Sequence, residues 1–280
     1  MKKTIYFINN DFIEKDRAFI SVNDIGLLRA YAVFDYLKTY FGKPFHLSDH
    51  INRLFKSADF IGLRVPKSKS EIKEIVNELI KINKFPESSI RIIVTGGESS
   101  DGKKKGEPNL IITCEPRNEI DKSFYLQGVR IKIVQDYREA PVAKTVNYTM
   151  AIKYLNDFIP KGFFEVLYVH NSKITECTSS NIFFIKDKKL ITPKDEMLPG
   201  ITRQIVINQS SKFFDIEERN IYLHEIYDFD EVFITSTDKE VLPVVAIDNH
   251  SFNKERVGER TKVVMKIFND YIESKVWFED

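Results

Sequence analysis

Short apolar runs separated by turn residues open the chain and are typical of β-strands. The sequence Asn9-Asn10-Asp11, between the runs Thr4–Ile8 and Phe12–Ile13, predicts a hairpin. We predict further strands in this part of the chain at Ala18–Val22, Val33–Tyr40, Pro44–Leu47, Ile90–Thr95 and Leu110–Cys114.

Within this region the hydrophobic period changes to that of a helix. Ser48 is the predicted N-cap of one helix, and Ser68 with Glu71 fits a capping box that begins a second helix. The predicted buried faces are Ile51, Leu54, Phe55, Ala58 and Phe60 in the first helix and Ile72, Ile75, Val76, Leu79 and Ile80 in the second. Hairpins, two helices and returning strands predict an α+β unit.

A polar stretch that contains a proline, Glu115–Ser123, is the best candidate for a domain boundary. Beyond it, strands outnumber helices without strict alternation, which predicts a second α+β domain with a mixed, partly barrel-like sheet. We predict a small α/β sandwich domain at residues 1–116, a linker at 117–123 and a large pseudo-barrel domain at 124–280. Its predicted strands are Val129–Ile133, Glu165–His170, Asn181–Lys186, Lys189–Thr192, Glu231–Thr235 and Val241–Ile247; its predicted helices are Asn147–Phe158, Ile201–Phe213 and Glu259–Lys275, the last with Val263, Ile267, Phe268, Tyr271 and Ile272 on its apolar face.

Composition narrows the possible partners. The chain has 280 residues, of which 42% are hydrophobic and 30% charged, and its formal net charge is +1. A net charge so close to zero gives no electrostatic attraction for nucleic acid or an anionic membrane, so we expect neither as a partner. The two cysteines, Cys114 and Cys177, show neither metal spacing nor a disulfide framework, so we expect no metal. No signal peptide or membrane span is recognisable, and we expect a cytoplasmic protein.

Two motifs suggest other functions but are less favoured. Gly97–Lys104 matches part of a phosphate-binding loop, but Lys104 replaces the hydroxyl residue and a strand follows instead of a helix. A nucleotide-binding module built on this loop is the non-enzyme alternative. His46 and His50 are four residues apart, but a strand end and a helix do not share a face, so packing or surface histidines are favoured over a metal site.

Several features carry candidate chemistry, most of them in the second half of the chain. Lys144 lies in an uncharged stretch, where partial desolvation lowers the pKa of an amine, although an exposed lysine at a helix start is the simpler interpretation. Glu176 is the single acid of a polar loop predicted between two strands. Gly200 precedes a predicted helix at Ile201 and Thr202, whose first N–H groups attract an anion. Ser236-Thr237 after a strand offers hydroxyl groups, and Arg53 a positive charge. Amine, acid and phosphate cradle together suit pyridoxal 5′-phosphate.

These residues match a known family. The sequence resembles the class IV aminotransferases, the fold type IV pyridoxal-phosphate enzymes, which include branched-chain aminotransferases, D-amino acid aminotransferases and aminodeoxychorismate lyases. The resemblance covers almost the whole chain. It is carried by Arg53-Leu54 with Ser57-Ala58, Lys144-x-x-Asn147, Thr175-Glu176-x-x-Ser179-Ser180-Asn181-Ile182-Phe183, Leu198-Pro-Gly-Ile-Thr-Arg203, Asp230-Glu231-Val232-Phe233 and Ser236-Thr237.

The resemblance implies a role for each matched residue. Lys144 would bind the cofactor covalently and move a proton between the substrate α-carbon and C4′ of the cofactor, and Glu176 would keep the pyridine nitrogen protonated. The phosphate would be held by Arg53, the backbone at Ile201 and Thr202, and Ser236 and Thr237, while Tyr148 would contact the ring hydroxyl. The family also implies a D-amino acid aminotransferase-like fold, a small domain that closes over the substrate, and homodimers with shared sites.

Departures from the family pattern leave the substrate open. The spacing from Lys144 to Asn147 resembles the D-amino acid and lyase branches rather than the branched-chain enzymes. However, the loop at residues 96–100 lacks the arginine and histidine that typically bind the substrate carboxylate in D-amino acid enzymes. Arg29 is our first candidate for that role, because it lies beside strand Val33–Tyr40, which resembles the family's pocket-lining strand and carries Phe34. Arg91, on the strand Ile90–Thr95, is the second candidate. We predict transamination between an α-amino acid, D-amino or branched-chain, and a 2-oxo acid; the alternative is an aminodeoxychorismate lyase that releases pyruvate and 4-aminobenzoate.

Overall fold

The computed structural model describes residues 3–279, with the side chains of residues 3–278. The chain folds as two compact units. The first comprises the chain up to Asn118 together with Ala143–Asn147 and the C-terminal end from Trp277, and the second comprises Glu119–Val142 and Tyr148–Val276. Our prediction of two continuous domains does not include these two later segments, Ala143–Asn147 and the C-terminal end, in the first unit.

The first unit is an antiparallel six-stranded sheet with two main helices. Its strands follow the spatial order β2-β1-β6-β5-β3-β4. Their bounds are β1 Ile5–Ile8, β2 Asp11–Glu14, β3 Ala32–Tyr40, β4 Lys43–Pro44, β5 Ser88–Thr95 and β6 Asn109–Pro116; the helices are α1 Ile25–Arg29, α2 Leu47–Phe60 and α3 Lys69–Asn83. The predicted hairpin is confirmed, because Ile8 pairs with Asp11 across a two-residue turn.

One face of this sheet packs against α2 and α3 to form the core of the first unit. The core draws on alternate strand residues, such as Ile90, Ile92 and Val94 of β5, and on the apolar stripes of both helices. The capping box at Ser68 and Glu71 is confirmed. Alternation leaves the opposite face of the sheet to the residues in between, among them the candidate residues Phe34 and Arg91.

Several predicted details of the first unit are wrong. Ala18–Val22 is no strand: Phe19 is 79% exposed, and the chain turns at Val22 to begin α1, which Asp24 caps. The apolar composition of this stretch indicated a strand, but no sheet edge accepts it. The helix predicted after Ser48 begins at Leu47, behind His46 in the left-handed region.

The helix ends differ from prediction in a similar way. Of the predicted strand Pro44–Leu47, only Pro44 belongs to β4, because Leu47 is already helical. Phe60 is the last residue of α2 and is exposed, and Val263 in the closing helix is exposed too. Helical spacing identifies a stripe, but it does not show where the neighbouring surface stops covering it.

The second unit is built on a ten-stranded mixed sheet. The spatial order is β12-β11-β10-β14-β15-β7-β8-β9-β13, with β16 paired to β15. The strands are β7 Val129–Gln135, β8 Glu165–His170, β9 Lys173–Cys177, β10 Asn181–Lys186, β11 Lys189–Thr192, β12 Asp215–Glu218, β13 Ile221–Tyr222, β14 Glu231–Ser236, β15 Glu240–Ile247 and β16 His250–Ser251; the helices are α4 Ser123–Gln127, α5 Thr149–Phe158, α6 Ile201–Ser210 and α7 Glu259–Ser274.

The sheet of the second unit curls around its own core. Ile191 in β11 and Ile221 in β13, near opposite ends of the strand order, belong to one buried cluster. A flat sheet would hold these strands far apart, so the sheet is a curled half-barrel. The predicted mixed, pseudo-barrel architecture of a two-unit α+β protein is therefore confirmed.

The polar loop predicted around Glu176 is wrong. The segment is strand β9, and Glu176 is 2% exposed. The hydroxyl-rich residues that follow, Thr178–Ser180, form the turn to β10, and their side chains donate hydrogen bonds to Glu165 inside the unit. No helix among residues 3–279 is long and apolar enough to cross a membrane.

Candidate active site

The segment that carries Lys144 lies against the edge of β3. The Lys144 carbonyl accepts a hydrogen bond from the Phe34 N–H at 2.9 Å, and the Lys144 N–H donates to Ser57 Oγ of α2 at 3.0 Å. The backbone of Lys144 is thus fixed from two sides. Because α5 begins only at Thr149, Lys144 is not an exposed residue at a helix start.

The amine of Lys144 is held over an aromatic ring. Its side chain is half-buried, and Nζ lies 4.6 Å from the centroid of the Phe34 ring. Phe34 alternates with Val33 and Asp35, which point toward the helices, so its ring lies on the opposite face of the sheet. The structure therefore places the predicted nucleophile on the face of the sheet opposite α2 and α3.

Arg91 shares this face with Phe34. Arg91 stands opposite Tyr36 in the β3–β5 register, and its guanidinium lies 5.7 Å from the Tyr36 ring centroid. Tyr36 is two residues from Phe34 and so points the same way. An arginine, two aromatic rings and the Lys144 amine therefore occupy one surface of the first unit.

Arg29 lies elsewhere in the same unit. It is the last residue of α1, is exposed, and donates from Nη1 to the carbonyl of Leu28 at 2.7 Å. A Cβ on Gly102 would lie 3.8 Å from its Nη2, so Arg29 borders the loop between β5 and β6. That loop connects two strands, as predicted for Gly97–Lys104.

Arg53 forms a buried cluster on the helical side of the sheet. Its Nε and Nη2 each donate to Asp35 at 2.8 Å, and Asp35 also accepts from His50 Nδ1 at 2.6 Å. Burial alone would raise the pKa of Asp35, but Arg53 and His50 outweigh burial and hold it well below its usual value. Burial lowers the pKa of His50, so this histidine serves packing and orientation. No group of metal-ligating side chains is found in the described part of the chain.

Glu176 is paired with an arginine that the sequence did not single out. Glu176 Oε1 lies 3.1 Å from Arg138 Nε, and Oε2 accepts a hydrogen bond from the Leu198 N–H at 3.0 Å. Burial lowers the pKa of Arg138, but the opposed charge of Glu176 dominates and raises it. Nothing in the local sequence of Arg138 marks it, because only the strand order brings it to β9.

Tyr148 completes this group. The Arg138 guanidinium lies 5.2 Å from the centroid of the Tyr148 ring, and it also donates to the Thr178 carbonyl at 2.9 Å. A carboxylate, an arginine and a phenol thus form one connected set in the second unit.

The start of α6 forms a tight turn around Gly200. Gly200 is the N-cap, and no side chain caps the helix, so the first-turn N–H groups at Ile201 and Thr202 face away from the helix. A Cβ on Gly200 would come within 2.0 Å of Asn181 Oδ1, which requires glycine here. The Asn181 side chain is held close to Gly200 because its amide group also donates a hydrogen bond to the Leu198 carbonyl at 2.8 Å.

Ser236 and Thr237 lie where β14 turns into β15. Ser236 is the last residue of β14, and its Oγ accepts a hydrogen bond from the Lys239 N–H at 3.1 Å. The turn presents hydroxyl and N–H groups, the donors that a phosphate monoester requires.

The predicted site residues thus fall into two groups. Phe34, Arg29, Arg53, Arg91 and Lys144 belong to the first unit, and Tyr148, Glu176, Ile201, Thr202, Ser236 and Thr237 belong to the second. The chemistry of these donors fits pyridoxal phosphate, since the set contains an amine, a buried carboxylate, and hydroxyl groups with a helix N-terminus for the phosphate.

Sequence comparison identifies a family. The sequence model described as amino-transferase class IV matches residues 32–247. A putative branched-chain-amino-acid aminotransferase from Methanocaldococcus jannaschii is 31% identical over 277 residues, covering 94% of this chain and 95% of the relative. A D-alanine aminotransferase from Staphylococcus haemolyticus is 29% identical, covering 97% of this chain and 99% of the relative.

Solved structures share the fold. The Escherichia coli branched-chain amino acid aminotransferase superposes with a TM-score of 0.91 at 24% identity, covering 97% of this chain and 95% of that chain. The branched-chain aminotransferase of Thermoproteus uzoniensis, solved with norvaline, has a TM-score of 0.88 at 25% identity and covers 98% of this chain and 96% of that chain. The chain therefore belongs to the class IV aminotransferases, which are pyridoxal-phosphate-dependent enzymes.

Proposed function

We propose that the protein transfers the amino group of an α-amino acid to a 2-oxo acid, with Lys144 as the residue that binds the cofactor and moves the proton at the substrate α-carbon. The observation that carries this proposal is the position of Lys144. Its backbone is fixed against β3 and α2, and its half-buried Nζ lies 4.6 Å from the Phe34 ring centroid. An amine on a fixed backbone is a group that can bind the cofactor covalently and transfer a proton.

Apart from Arg53, which belongs to the first unit, the remaining proposed groups lie in the second unit. When bound, pyridoxal phosphate provides a ring that withdraws electrons from the substrate α-carbon. Glu176 would hold a proton at the ring nitrogen, with Arg138 fixing the carboxylate at 3.1 Å. The α6 N-terminus at Ile201 and Thr202, Ser236-Thr237 and Arg53 would hold the phosphate, and Tyr148 the ring hydroxyl.

The substrate would be an apolar α-amino acid. Phe34 and Tyr36 offer aromatic surface beside Lys144, and Arg91 on the same face offers a charge for a carboxylate. Both D-alanine and branched-chain enzymes are among the relatives, so we propose one of these two substrate classes. The elimination of pyruvate from aminodeoxychorismate is not favoured, because the relatives reported above are aminotransferases.

Two variants test the nucleophile. Lys144→Ala should abolish the visible absorbance of the covalently bound cofactor and all turnover, while Lys188→Ala, an exposed lysine in the β10–β11 turn, should keep both. Loss of the absorbance on addition of D-alanine, D-glutamate, L-leucine or L-glutamate would identify the amino donor. Full turnover by Lys144→Ala would refute the proposal, as would pyruvate release from aminodeoxychorismate with no reaction of any amino acid.

Two further variants decide between the candidates for carboxylate binding. Removing a charged hydrogen-bond partner costs roughly 1.5–3 kcal/mol, or about 10- to 150-fold in kcat/KM. We expect this loss in Arg91→Ala, which shares the face of Phe34, and a near-normal value in Arg29→Ala. The reverse result would restore Arg29 as the carboxylate-binding residue.

We also infer a homodimer. Phe19, Val22 and Leu27 of the first unit are 79%, 74% and 64% exposed, and such neighbouring apolar residues favour burial against another chain. Sedimentation should give twice the mass of one chain, and Phe19→Ser with Leu27→Ser should shift it toward the monomer. A monomeric wild-type protein would contradict the inference.

A further inference from the structure

The second unit contains a cavity of about 650 Å³ between α4, β7, α5 and β8. Within the described chain, its lining residues do not include any of the proposed cofactor-binding residues. Its size lies within the range of sites for small organic molecules, roughly 300–1,000 Å³.

Most of the cavity wall is apolar. Phe124 and Phe164 form an edge-to-face pair with centroids 5.0 Å apart, and Phe163 lines the wall beside them. Leu155 and Ile159 line it from α5 and the turn that follows. These side chains offer aromatic and aliphatic surface to the body of a ligand.

Charged residues also line the cavity. Lys239 Nζ donates to Ser179 Oγ at 2.7 Å and lies 3.2 Å from Glu165 Oε2. An ammonium group has three N–H donors, so one remains for an acceptor in the cavity. The Lys239 side chain is only 12% exposed, which strengthens its interaction with a charge.

The carboxylate of Glu165 is already saturated with donors. Oε1 accepts from Thr178 Oγ1 at 3.0 Å and from the N–H and Oγ of Ser179 at 2.6 and 2.9 Å, while Oε2 accepts from Ser180 Oγ at 2.9 Å. Glu165 therefore orients Lys239 and does not itself require a cationic ligand.

Arg130 gives the cavity its net charge. Its guanidinium lies 5.8 Å from the Phe163 ring centroid, and Nη2 contacts the backbone carbonyl of Asp248 at 3.4 Å. The carboxylate of Asp248 is instead paired with Lys132. Arg130 and Lys239 against Glu165 leave a lining with one positive charge in excess.

We propose that this cavity binds a small molecule with an apolar body and one anionic group, of the class of aliphatic or aromatic carboxylic acids. The carboxylate would lie between Arg130 and Lys239, and the apolar body against Phe124, Phe163 and Phe164. This site is separate from the proposed transamination and does not depend on it.

Calorimetric titration of the cofactor-loaded protein with three ligands of equal chain length tests the charge preference. Decanoate should bind with a saturable isotherm, decanol at least about tenfold more weakly, and decyltrimethylammonium weaker still, because each step removes or reverses the charge complementarity. Binding of decyltrimethylammonium as tight as that of decanoate would overturn the proposal, and so would a titration with decanoate that does not saturate.

Matched variants locate the site. Ile159→Trp places a larger side chain in the wall and should raise the Kd of decanoate at least about tenfold, whereas Ile152→Trp, exposed on α5 and outside the lining, should not. Arg130→Gln should raise it about three- to tenfold, with Arg256→Gln, another exposed arginine of the same unit, as the control. If both cavity variants bind decanoate within about twofold of the wild-type protein, the ligand lies elsewhere and the proposal is wrong.

Discussion

Two buried carboxylates, Glu165 and Glu176, lie on the neighbouring strands β8 and β9 but have different surroundings. Both are almost completely removed from solvent, at 1% and 2% exposure. Glu165 is surrounded by hydroxyl groups, one N–H and the Lys239 ammonium, all within its own unit. Glu176 accepts a hydrogen bond from the Leu198 N–H, in the segment before α6, and is paired with the Arg138 guanidinium.

The difference shows that burial alone does not identify a functional acid. The donors around Glu165 come from the β9–β10 turn and the β14–β15 turn. The carboxylate therefore links these two turns to the start of β8 by hydrogen bonds and an ion pair. Glu176 instead belongs to a set with Arg138 and Tyr148, residues with polar groups that can meet a ligand. We therefore expect Glu165 to support folding and Glu176 to support turnover.

The largest effect should come from Glu165→Ala. Its removal leaves the Lys239 ammonium in a mostly buried position without its counter-charge, and breaking a buried pair in this way costs about 3–5 kcal/mol. Denaturant unfolding followed by circular dichroism should show this loss in the free energy of unfolding. A loss below about 1 kcal/mol would show that Glu165 contributes no more than an exposed ion pair.

The next effect concerns Glu176→Gln. The amide keeps an acceptor for the Leu198 N–H. In its proposed role, Glu176 balances a positive charge at the ring nitrogen of the cofactor, which an amide cannot do, so kcat should fall at least about a hundredfold. Turnover should be measured on protein with verified cofactor content. Glu217→Gln, which neutralises an acid in the edge strand β12, should leave kcat near the wild-type value. A kcat of Glu176→Gln within about tenfold of the wild-type value would contradict the proposed role of Glu176 in turnover.

The smallest effect should appear as a pH dependence. Burial raises the pKa of Glu165, but Lys239 and the hydrogen bonds from Ser179 and Ser180 outweigh burial and keep it below the ordinary value of 4.5. The stabilisation by its charge is therefore complete above pH 4.5 and is lost as the pH falls further. Between wild type and Glu165→Gln, the slope of unfolding free energy against pH should differ by at most one proton, about 1.4 kcal/mol per pH unit. Parallel slopes below pH 4.5 would contradict this assignment.

The regular elements could be predicted because their signals are local. The strands Glu165–His170, Asn181–Lys186 and Lys189–Thr192 agree with the structure at both ends, since each is a short apolar run between turn residues. The capping box at Ser68 is equally local. Ala18–Val22 could not be predicted correctly, because an apolar run forms a strand only if a sheet edge is available to pair with it.

The sequence named candidate site residues but did not give their arrangement. The matched motifs identified Lys144 and Glu176 in the sequence, yet Lys144 proved to be fixed on β3 rather than at a helix start. Arg138 carried no recognisable signal, because its pairing with Glu176 depends on how β7, β8 and β9 lie side by side. Arg138 lies in the loop after β7, so its pairing with Glu176 depends on the tertiary structure and not on any local pattern.

The sequence by itself therefore determined the family, the cofactor and most of the secondary structure, because hydrophobic period, turn residues and family motifs are all read along the chain. Only the tertiary structure decided which buried charges are paired, which face of the first sheet carries Lys144, and that a cavity with excess positive charge lies beside Glu165 and Lys239. These properties depend on distances between residues far apart in the chain, which folding sets and local patterns do not encode.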